Sequence, residues 1–444
     1  MARLARLTYD RIAALIRARG PMSATELAAL LAADRSSVGR ALHQFGDELV
    51  CLGATRSTRY VMRKSIRERG MKWPIYRIDS DGNPQQWSEL EAFHDRAWRL
   101  SWSGAAPAWA DLFKVEHGLW NGFPFFLNDV RPQGFLGRIL AERLSSLLQV
   151  PQDPRQWSDE DTLVALITMG DDLPGDLVVG DACLRRAMIT DSGGSEKTIA
   201  PSAQRAEIYA ERARKIVDTL PGSSAGGGQP KFLAHVLENA AESRAVLVKF
   251  SPPIEQQTGR RWADLLACEF HAHEVLAEAG LSMPGANLLE IDGRRFLEVP
   301  RFDRNGTRGR KGVVTMESLA GSALDKTPTD WLSAANALQR IGLITEDAVS
   351  TIRLLQAFGE QIGNSDMHLG NFAFFLTDEL PLRPTPCYDM LPMLWAPSAQ
   401  GEIVERRLST ATPTPAMLDT WQQASTMAEK FWTRVKNDPR IELF

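Results

Sequence analysis

The alternation of apolar and polar positions at the start of the chain predicts three short helices and a hairpin. Within residues 9–42, apolar side chains recur every three or four positions in three successive runs, as on the buried face of a helix. Ser23 and Glu26 have the spacing of a capping box, so the second helix is expected to begin there. Two strand-like runs, 49–52 and 59–62, flank a turn that contains glycine.

The N-terminal segment is basic, whereas the rest of the chain is acidic. Residues 1–72 contain 14 Arg or Lys and 6 Asp or Glu, a net charge of +8, although the whole chain carries −4. A basic head joined to an acidic body favours a nucleic-acid-binding module attached to a second function. A solvated basic surface without a partner is the simpler alternative.

Three helices followed by a basic hairpin is the element order of a winged helix-turn-helix domain. In that arrangement the third helix enters the major groove of DNA and the hairpin contacts phosphates. The residues predicted to contact DNA are Arg35, Ser36, Ser37, Arg40, Arg56 and Arg59. Winged helices also serve as protein-binding modules, so a protein partner stays open.

A glycine-rich segment in the second half of the chain has the composition of a phosphate-binding loop. Gly226, Gly227 and Gly228 allow backbone N–H groups to turn towards an anion, and Lys231 adds a positive charge. The ending of a Walker A loop is missing. A flexible linker explains this segment equally well when it is taken alone.

The next predicted strand carries one lysine, Lys249, near its end. In kinase-type sites such a lysine binds the α- and β-phosphates of ATP and needs a carboxylate from a helix to orient it. The predicted helix at 262–279 offers Glu269 and Asp264 as candidates. A hairpin through an Asp-Gly turn is predicted at 288–299.

A polar loop follows a predicted helix that ends at Gly363. Asp366 and Asn371 have the spacing found in phosphoryl-transfer loops, where the Asp accepts a hydroxyl proton and the Asn binds Mg²⁺. Asp389 supplies the second carboxylate that such a metal site requires. The alternative is an Asn- and Asp-rich turn with a structural His368.

Two further passages lie between the basic head and the glycine-rich segment. Residues 122–134 are predicted to form a strand that leads into a turn, and residues 157–177 a capped helix followed by a loop and a strand. The order of all these parts, from glycine-rich loop to the final Asp, is that of a bilobed phosphotransferase.

These motifs together resemble the HipA-like serine/threonine kinase family of toxin–antitoxin systems. The resemblance is strongest to the YjjJ/HipH-type subgroup, which carries a fused N-terminal helix-turn-helix domain, and it spans about residues 122–395. The segments that carry it are 128–134, 169–175, 224–231, Glu269 with Gly280, 301–304, 363–371 and 388–389.

The resemblance implies a role for each residue of the site. Asp366 is the catalytic base for a serine or threonine hydroxyl, with His368 in a positioning role, and Asn371 and Asp389 bind Mg²⁺. The implied ATP-binding residues are Ser224, Gly226, Gly227, Gly228, Lys231, Lys249, Pro300 and Phe302. Lys249 contacts the phosphates, and the backbone of the last two binds adenine.

Two further expectations follow from the resemblance. Ser224 lies where these kinases phosphorylate themselves, which ejects the glycine-rich loop and stops activity. Relatives usually carry Lys or Arg directly before the metal-binding Asn, whereas this chain has Gly370. The missing cation would slow phosphoryl transfer or change its substrate.

The expected fold is α+β, a bilobed HipA-like kinase preceded by a winged helix-turn-helix domain. The N-lobe is mixed with a β-sheet and the C-lobe is mainly helical. The expected domains are the DNA-binding-like domain 1–68, a HipA N-terminal subdomain 69–170, the kinase N-lobe 171–305 and the helical C-lobe 306–444.

Composition favours a cytoplasmic location. No apolar run approaches the length of a membrane span, and the four cysteines are scattered without a metal-binding or disulfide pattern. The expected partners are ATP, DNA, a protein substrate from the translation or growth machinery, a second copy of the chain in a homodimer, and no membrane.

Three functions remain open at this point. The first is an ATP- and Mg²⁺-dependent serine/threonine-protein kinase of the toxin type whose fused domain regulates its own gene. The second is a DNA-binding regulator whose kinase-like body senses a ligand without turnover. The third is a small-molecule phosphotransferase, since aminoglycoside-type kinases share the Asp-to-Asn spacing of the loop.

Overall fold

The computed structural model has the mixed α+β arrangement that was predicted. Among the helices of the described ranges, none is long and apolar enough to cross a bilayer. The structure describes residues 8–53, 57–94, 96–113, 118–132, 134–189, 198–219, 229–239, 242–398, 400–409 and 412–442.

The N-terminal region consists of three helices and an antiparallel hairpin. Its elements are α1 (Tyr9–Arg19), α2 (Ala24–Leu31), α3 (Arg35–Leu42), β1 (Leu49–Leu52) and β2 (Arg59–Met62). The Ser23 hydroxyl accepts a hydrogen bond from the Glu26 N–H at 3.2 Å, and the Glu26 carboxylate accepts one from the Ser23 N–H at 2.7 Å. The capping box expected at the start of α2 is therefore present.

This region packs directly on the middle of the chain. An apolar cluster across the boundary contains Val50, Leu52, Val61 and Phe93. Beside it the fully buried Glu91 lies 3.0 Å from Arg63 and 3.0 Å from Lys72, and it also pairs with Arg99. The head is thus joined to the body by both apolar and ionic contacts.

The middle region is built on a five-stranded antiparallel sheet. Its elements are β3 (Lys72–Ile78), β4 (Pro84–Ala92), β5 (Ala97–Trp102), β6 (Leu119–Asn121), α4 (Phe125–Asp129), α5 (Gly134–Leu148), α6 (Asp159–Met169), β7 (Leu177–Val179) and α7 (Asp181–Met188). The strand order is β6-β5-β4-β3-β7. The capped helix, loop and strand predicted at 157–177 are confirmed, because Ser158 caps α6 and β7 follows.

The strand predicted from residue 122 is wrong. Strand β6 ends at Asn121, and the apolar residues that follow form the short helix α4. Phe125, Phe126 and Leu127 are each at most 2 % exposed and lie in the tryptophan-rich core. Because a short run that is buried on all sides has no period, its sequence does not distinguish a strand from a helix.

A second five-stranded sheet forms the next region. Its elements are β8 (Thr198–Pro201), α8 (Arg205–Thr219), β9 (Lys231–Asn239), β10 (Glu242–Phe250), α9 (Gln257–Glu278), β11 (Asn287–Ile291) and β12 (Arg294–Pro300). The strand order is β11-β12-β10-β9-β8, with only β8 parallel to its neighbour. Asp292 and Gly293 have φ of 51° and 66°, the left-handed pair that a two-residue hairpin turn requires.

The C-terminal region is mainly helical. Its elements are β13 (Arg304–Asn305), β14 (Gly309–Arg310), β15 (Val313–Thr315), α10 (Met316–Ala323), α11 (Trp331–Arg340), α12 (Glu346–Ile362), β16 (Ala373–Phe375), β17 (Arg383–Pro384) and α13 (Leu418–Asn437). Helix α12 ends at Gly363 in the left-handed conformation, with φ 77°. The chain therefore turns sharply into the predicted polar loop, which lies between α12 and β16.

Candidate active site

Lys249 lies near the end of the central strand β10, and its side chain is buried. Its neighbours Val248 and Phe250 are 0 % exposed and belong to the apolar core, so alternation along the strand turns Lys249 to the opposite face. Lys231 is its register partner on β9, and both lysines line the same cavity. Burial lowers the pKa of Lys231.

Two carboxylates hold the ammonium group of Lys249. Its Nζ lies 2.5 Å from Glu269 Oε1 and also donates to Asp389 Oδ1. Asp264, the other candidate on helix α9, lies instead beside Arg295, at 3.8 Å. The helix carboxylate that orients Lys249 is therefore Glu269.

Burial and charge act in opposite directions on Lys249, Glu269 and Asp389. Burial disfavours the charged form of each group. The two carboxylates outweigh burial and raise the pKa of Lys249, and the two lysines outweigh burial and lower the pKa of Asp389. Burial prevails only at Glu269, whose pKa is raised. Near neutral pH, Lys249 is therefore protonated and Asp389 is ionised.

Side-chain hydrogen bonds to the backbone shape the polar loop after α12. Asn364 Oδ1 accepts from the Asp366 N–H at 3.0 Å, and Asn371 Nδ2 donates to the Asp366 carbonyl at 2.8 Å. Trp331 Nε1 donates to the His368 carbonyl at 2.8 Å. These contacts hold the loop while the side chains of Asp366 and His368 stay exposed. Asn364 has a supporting role that the sequence did not indicate.

The amide of Asn371 is oriented so that its oxygen can accept. Because Nδ2 donates to the loop backbone, Oδ1 is left for a cation or a donor. Asp389 offers a carboxylate from a residue with φ 53°, a left-handed conformation that is sparsely populated for residues other than glycine. An amide oxygen and a carboxylate are oxygen donors of the kind that Mg²⁺ prefers.

One cavity of about 1040 Å³ collects the residues predicted from the sequence. Pro300, the last residue of β12, and Phe302, two residues beyond it, line this cavity together with residues of the polar loop. The predicted residues in its wall are Lys231, Lys249, Pro300, Phe302, Asp366, His368, Asn371 and Asp389. Their positions are up to 158 apart in the sequence, and the fold brings all of them to this cavity.

Part of the predicted phosphate-binding loop lies outside the described residues. These positions are Ser224, Gly226, Gly227 and Gly228. The structure resumes at Gln229, whose Nε2 donates to the Phe250 carbonyl at 2.9 Å. The end of the glycine-rich segment is therefore attached to the strand that carries Lys249.

Gly370 lies beside a carboxylate. A Cβ atom at this position would lie 2.9 Å from Glu317 Oε2 and 2.9 Å from His368 Cε1. Glu317 also lines the cavity. A side chain at position 370 would therefore displace Glu317 or His368.

Asp129 belongs to the wall of the cavity and was not singled out as a functional residue. Its carboxylate accepts from the Thr315 N–H at 2.8 Å and from the Thr315 hydroxyl at 2.5 Å. Burial raises the pKa of Asp129 to about 6. The segment 128–134, which contributed to the family resemblance, contained the only signal for this residue.

Two other segments of the resemblance meet through an ion cluster. Asp303 pairs with Arg301 and Arg304, each at 2.8 Å, and accepts from the Gly175 N–H at 2.9 Å. Arg304 also donates to the Gly175 carbonyl at 2.8 Å. The middle region is thus attached to the segment that carries Phe302, although about 130 residues separate the two in the chain.

The described residues among those predicted to contact DNA lie on α3 and on β2. Asp34 accepts hydrogen bonds from the hydroxyls of Ser36, at 2.6 Å, and Ser37, at 2.8 Å. Arg59 lies 3.2 Å from Glu26, so its charge is already paired within the chain. Arg35 and Arg40 are exposed, and Arg56 lies outside the described residues.

Comparison with known proteins gives a consistent result over most of the chain. The family model described as YjjJ-like toxin, middle domain, matches residues 69–188, and the model described as HipA-like C-terminal domain matches residues 223–438. Toxin YjjJ of Escherichia coli (strain K12) is 33% identical over 429 residues, covering 95% of this chain and 92% of that protein. The chain belongs to the YjjJ-like toxin family. The resemblance inferred from the motifs is confirmed.

Two solved structures resemble this chain more weakly. HipA of Shewanella oneidensis MR-1, solved with HipB and operator DNA, has a TM-score of 0.49 and 15% identity, over 82% of this chain and 90% of that one. The proinflammatory kinase CtkA of Helicobacter pylori has a TM-score of 0.34 and 14% identity, over 48% of this chain and 87% of that one.

Proposed function

We propose that this member of the YjjJ-like toxin family is an ATP- and Mg²⁺-dependent kinase that phosphorylates serine or threonine in a cellular protein. The observation that carries the proposal is the shared cavity. Lys249, Asp366, Asn371 and Asp389 line it together, which is the arrangement that phosphoryl transfer requires. Its volume of about 1040 Å³ leaves room for a nucleotide.

The donor set fits a nucleotide with magnesium. Mg²⁺ is usually held by one or two protein oxygens and by substrate phosphates, and Asn371 Oδ1 with Asp389 provides such a pair. No cluster of three or more His, Cys, Asp or Glu that could hold a metal occurs in the part of the chain that the structure describes. When bound, ATP and Mg²⁺ supply the phosphoryl group and neutralise its charge.

Each residue of the chain then has a defined task. Lys249, fixed by Glu269, binds phosphate oxygens through its ammonium group. Asp366 is an exposed residue of the polar loop. It orients the acceptor hydroxyl and accepts its proton. His368 and the backbone hydrogen bonds of the loop keep Asp366 in place. The backbone of Pro300 and Phe302 binds adenine.

The same proposal includes regulation by two segments. Ser224 in the glycine-rich loop is the site of autophosphorylation, which ends the active state. The N-terminal domain binds DNA and regulates the gene of the protein itself; its support is the +8 charge of residues 1–72 and the order of its elements. We expect the phosphorylated protein to belong to the translation or growth machinery, as the resemblance to HipA-like kinases implies.

The test is incubation of the purified full-length chain with labelled ATP, Mg²⁺ and a bacterial lysate. We expect label on Ser224 or on a lysate protein, and Asp366→Asn should lower the rate by about 100-fold or more because the proton acceptor is lost. Asp419→Asn, an exposed change on α13, is the matched control and should keep the rate.

The other outcomes distinguish the alternatives. Label on an added aminoglycoside-type small molecule, with none on protein, would identify a small-molecule phosphotransferase. If no phosphoryl transfer is detected and DNA binding is intact, the protein is a DNA-binding regulator whose kinase-like body does not catalyse phosphoryl transfer. A rate that Asp366→Asn leaves unchanged would contradict the role of Asp366.

A further inference from the structure

The face of helix α9 that carries Glu269 continues along the cavity for another turn. Trp262, Glu269, His273 and Leu276 all line the cavity, and their spacing places them on one side of the helix. His273 is 8 % exposed and has no part in the proposed chemistry. Its buried imidazole therefore calls for an explanation, because burying an unused polar group costs free energy.

His273 belongs to a short hydrogen-bonded chain. Its Nδ1 lies 2.7 Å from Ser282 Oγ, and Ser282 Oγ lies 2.8 Å from the Cys387 carbonyl oxygen. Both Ser282 and Cys387 are buried. These three groups connect the end of helix α9, the segment directly after it, and the segment that leads to Asp389.

The direction of each hydrogen bond follows from the atoms. A carbonyl oxygen only accepts, so the single hydrogen of the Ser282 hydroxyl points to Cys387. Ser282 Oγ must then accept from His273, which places the ring proton on Nδ1. Burial, with the charge of Lys249, lowers the pKa of His273 to about 4, in agreement with a neutral ring. Nε2 is left as an acceptor that has no partner among the described residues.

The backbone of Cys387 is held on its other side as well. Its N–H donates to the Leu281 carbonyl at 2.8 Å, so both polar backbone groups of Cys387 bind the segment that follows α9. Asp389 lies two residues beyond Cys387, and Glu269 lies four residues before His273. The hydrogen-bonded chain therefore links the helix that carries Glu269 to the segment that leads to Asp389.

We propose that His273, Ser282 and the Cys387 backbone form a clamp that positions Asp389 relative to Glu269, with His273 and Ser282 as positioning residues. The inference rests on the proposed function, in which Asp389 binds the metal. Asp389 has φ 53°, and such a conformation persists only where the surroundings hold it. Each of the two hydrogen bonds in this buried chain has a single possible direction, so the chain favours one arrangement of the three segments, which apolar packing alone does not.

The test compares variants of the full-length protein at two readouts. Ser282→Ala removes both hydrogen bonds of the hydroxyl and Ser282→Thr keeps the hydroxyl. His273→Leu removes the donor and His273→Asn keeps a donor near the position of Nδ1. Ser101→Ala, an exposed change on β5, is the control. The readouts are the Mg²⁺ concentration at half-maximal binding of a fluorescent ATP analogue and hydrogen exchange of the peptide 385–392.

We expect Ser282→Ala to raise the Mg²⁺ midpoint about tenfold while binding of the analogue without Mg²⁺ stays within about twofold. Exchange of the peptide should accelerate, and Ser282→Thr should restore both readouts. A general loss of packing would instead change binding with and without Mg²⁺ alike. If Ser282→Ala does not fold, His273→Leu and His273→Asn are compared by the same two readouts.

Two results would overturn the clamp, and they differ from failure of the kinase proposal. An unchanged Mg²⁺ midpoint and unchanged exchange in Ser282→Ala would show that Ser282 does not position Asp389. The clamp would also be contradicted if Ser282→Thr and His273→Asn restored neither readout. If the wild type itself shows no Mg²⁺-dependent binding, the kinase proposal fails, and the exchange comparison still decides whether the clamp holds the segment.

Discussion

At the scale of single residues, the site is dominated by one cation between two acids. Lys249 is 4 % exposed, and its charge is balanced by Glu269 and Asp389, two groups that burial would otherwise drive towards their neutral forms. An arrangement of this kind serves binding better than stability, because a buried ion pair seldom contributes much net free energy to folding.

Removing the cation should reveal this balance. Lys249→Met removes the ion-pair partner of the buried Glu269 and of Asp389, and we expect the free energy of unfolding near pH 7 to fall by about 3–5 kcal/mol. Urea denaturation of both proteins, followed by fluorescence of the tryptophans, measures the difference.

The difference in free energy of unfolding between the wild type and Lys249→Met should decrease as the pH falls. Without Lys249 to offset burial, we expect the pKa of Glu269 in the folded state to rise further and that of Asp389 to rise above its unfolded value of about 4, so protonation at low pH stabilises the fold and the benefit is lost as pH rises. In the wild type the pKa of Asp389 is lowered instead, so its contribution is present at neutral pH and lost in acid. If this difference in free energy of unfolding is the same at pH 5 and at pH 8, the account is contradicted.

At the scale of elements, the local geometry of single strands and helices orients the side chains of the site. Alternation along β10 turns Lys249 away from the core, the pitch of α9 places Glu269 opposite it, and α12 ends so that the polar loop begins at the cavity. The end of α12 depends on one residue. Gly363 has φ 77°, and a Cβ there would lie 3.0 Å from Leu408 Cδ1 and 3.2 Å from Trp395 Cζ3.

Gly363→Ala should therefore destabilise the fold and weaken phosphoryl transfer. The left-handed conformation alone costs about 1–2 kcal/mol for alanine, and the close contacts add to it. Gly342→Ala is the matched control, because Gly342 has φ 80° after α11 and no atom lies within 4 Å of its added Cβ.

The comparison uses thermal unfolding and the transfer rate of each variant. The control should show the conformational cost and retain the rate, whereas Gly363→Ala should lose more stability and a larger share of the rate. Equal effects at the two positions would mean that the contacts around Gly363 do not support the loop.

At the scale of the whole molecule, the N-terminal region is continuous with the body. Hydrogen bonds from the Lys64 N–H to the Ala92 carbonyl, at 2.9 Å, and from the His94 N–H to the Met62 carbonyl, at 3.0 Å, join it to the middle sheet. Deleting residues 1–68 would also remove Arg63 from the buried Glu91. Point substitutions are therefore the cleaner test of DNA binding.

Arg40→Ala should weaken DNA binding and lower the slope of log affinity against log salt by about 1, since one phosphate contact is lost. Arg59→Ala should have a smaller effect, because its charge is already paired with Glu26. Fluorescence anisotropy with a duplex at several salt concentrations measures both. A larger effect from Arg59 than from Arg40 would place the hairpin, and not α3, at the centre of the contact.

A large part of the fold and of the candidate site could be predicted from interactions between residues that are close in sequence. The capping box of Ser23 and Glu26, the Asp292-Gly293 turn and the end of α12 at Gly363 depend on residues close in sequence, and all three are present in the fold. The spacing of Asp366 and Asn371 likewise lies within one loop, so the sequence displayed it directly.

What depends on distant partners was decided only by the tertiary structure. The predicted helix offered both Glu269 and Asp264 as candidates, and the packing of α9 on β10 brings Glu269 to Lys249. The same holds for α4, which was predicted as a strand because a fully buried run has no period. A sequence determines which local geometries are favourable, whereas the face on which each side chain finds its partner depends on how the elements pack.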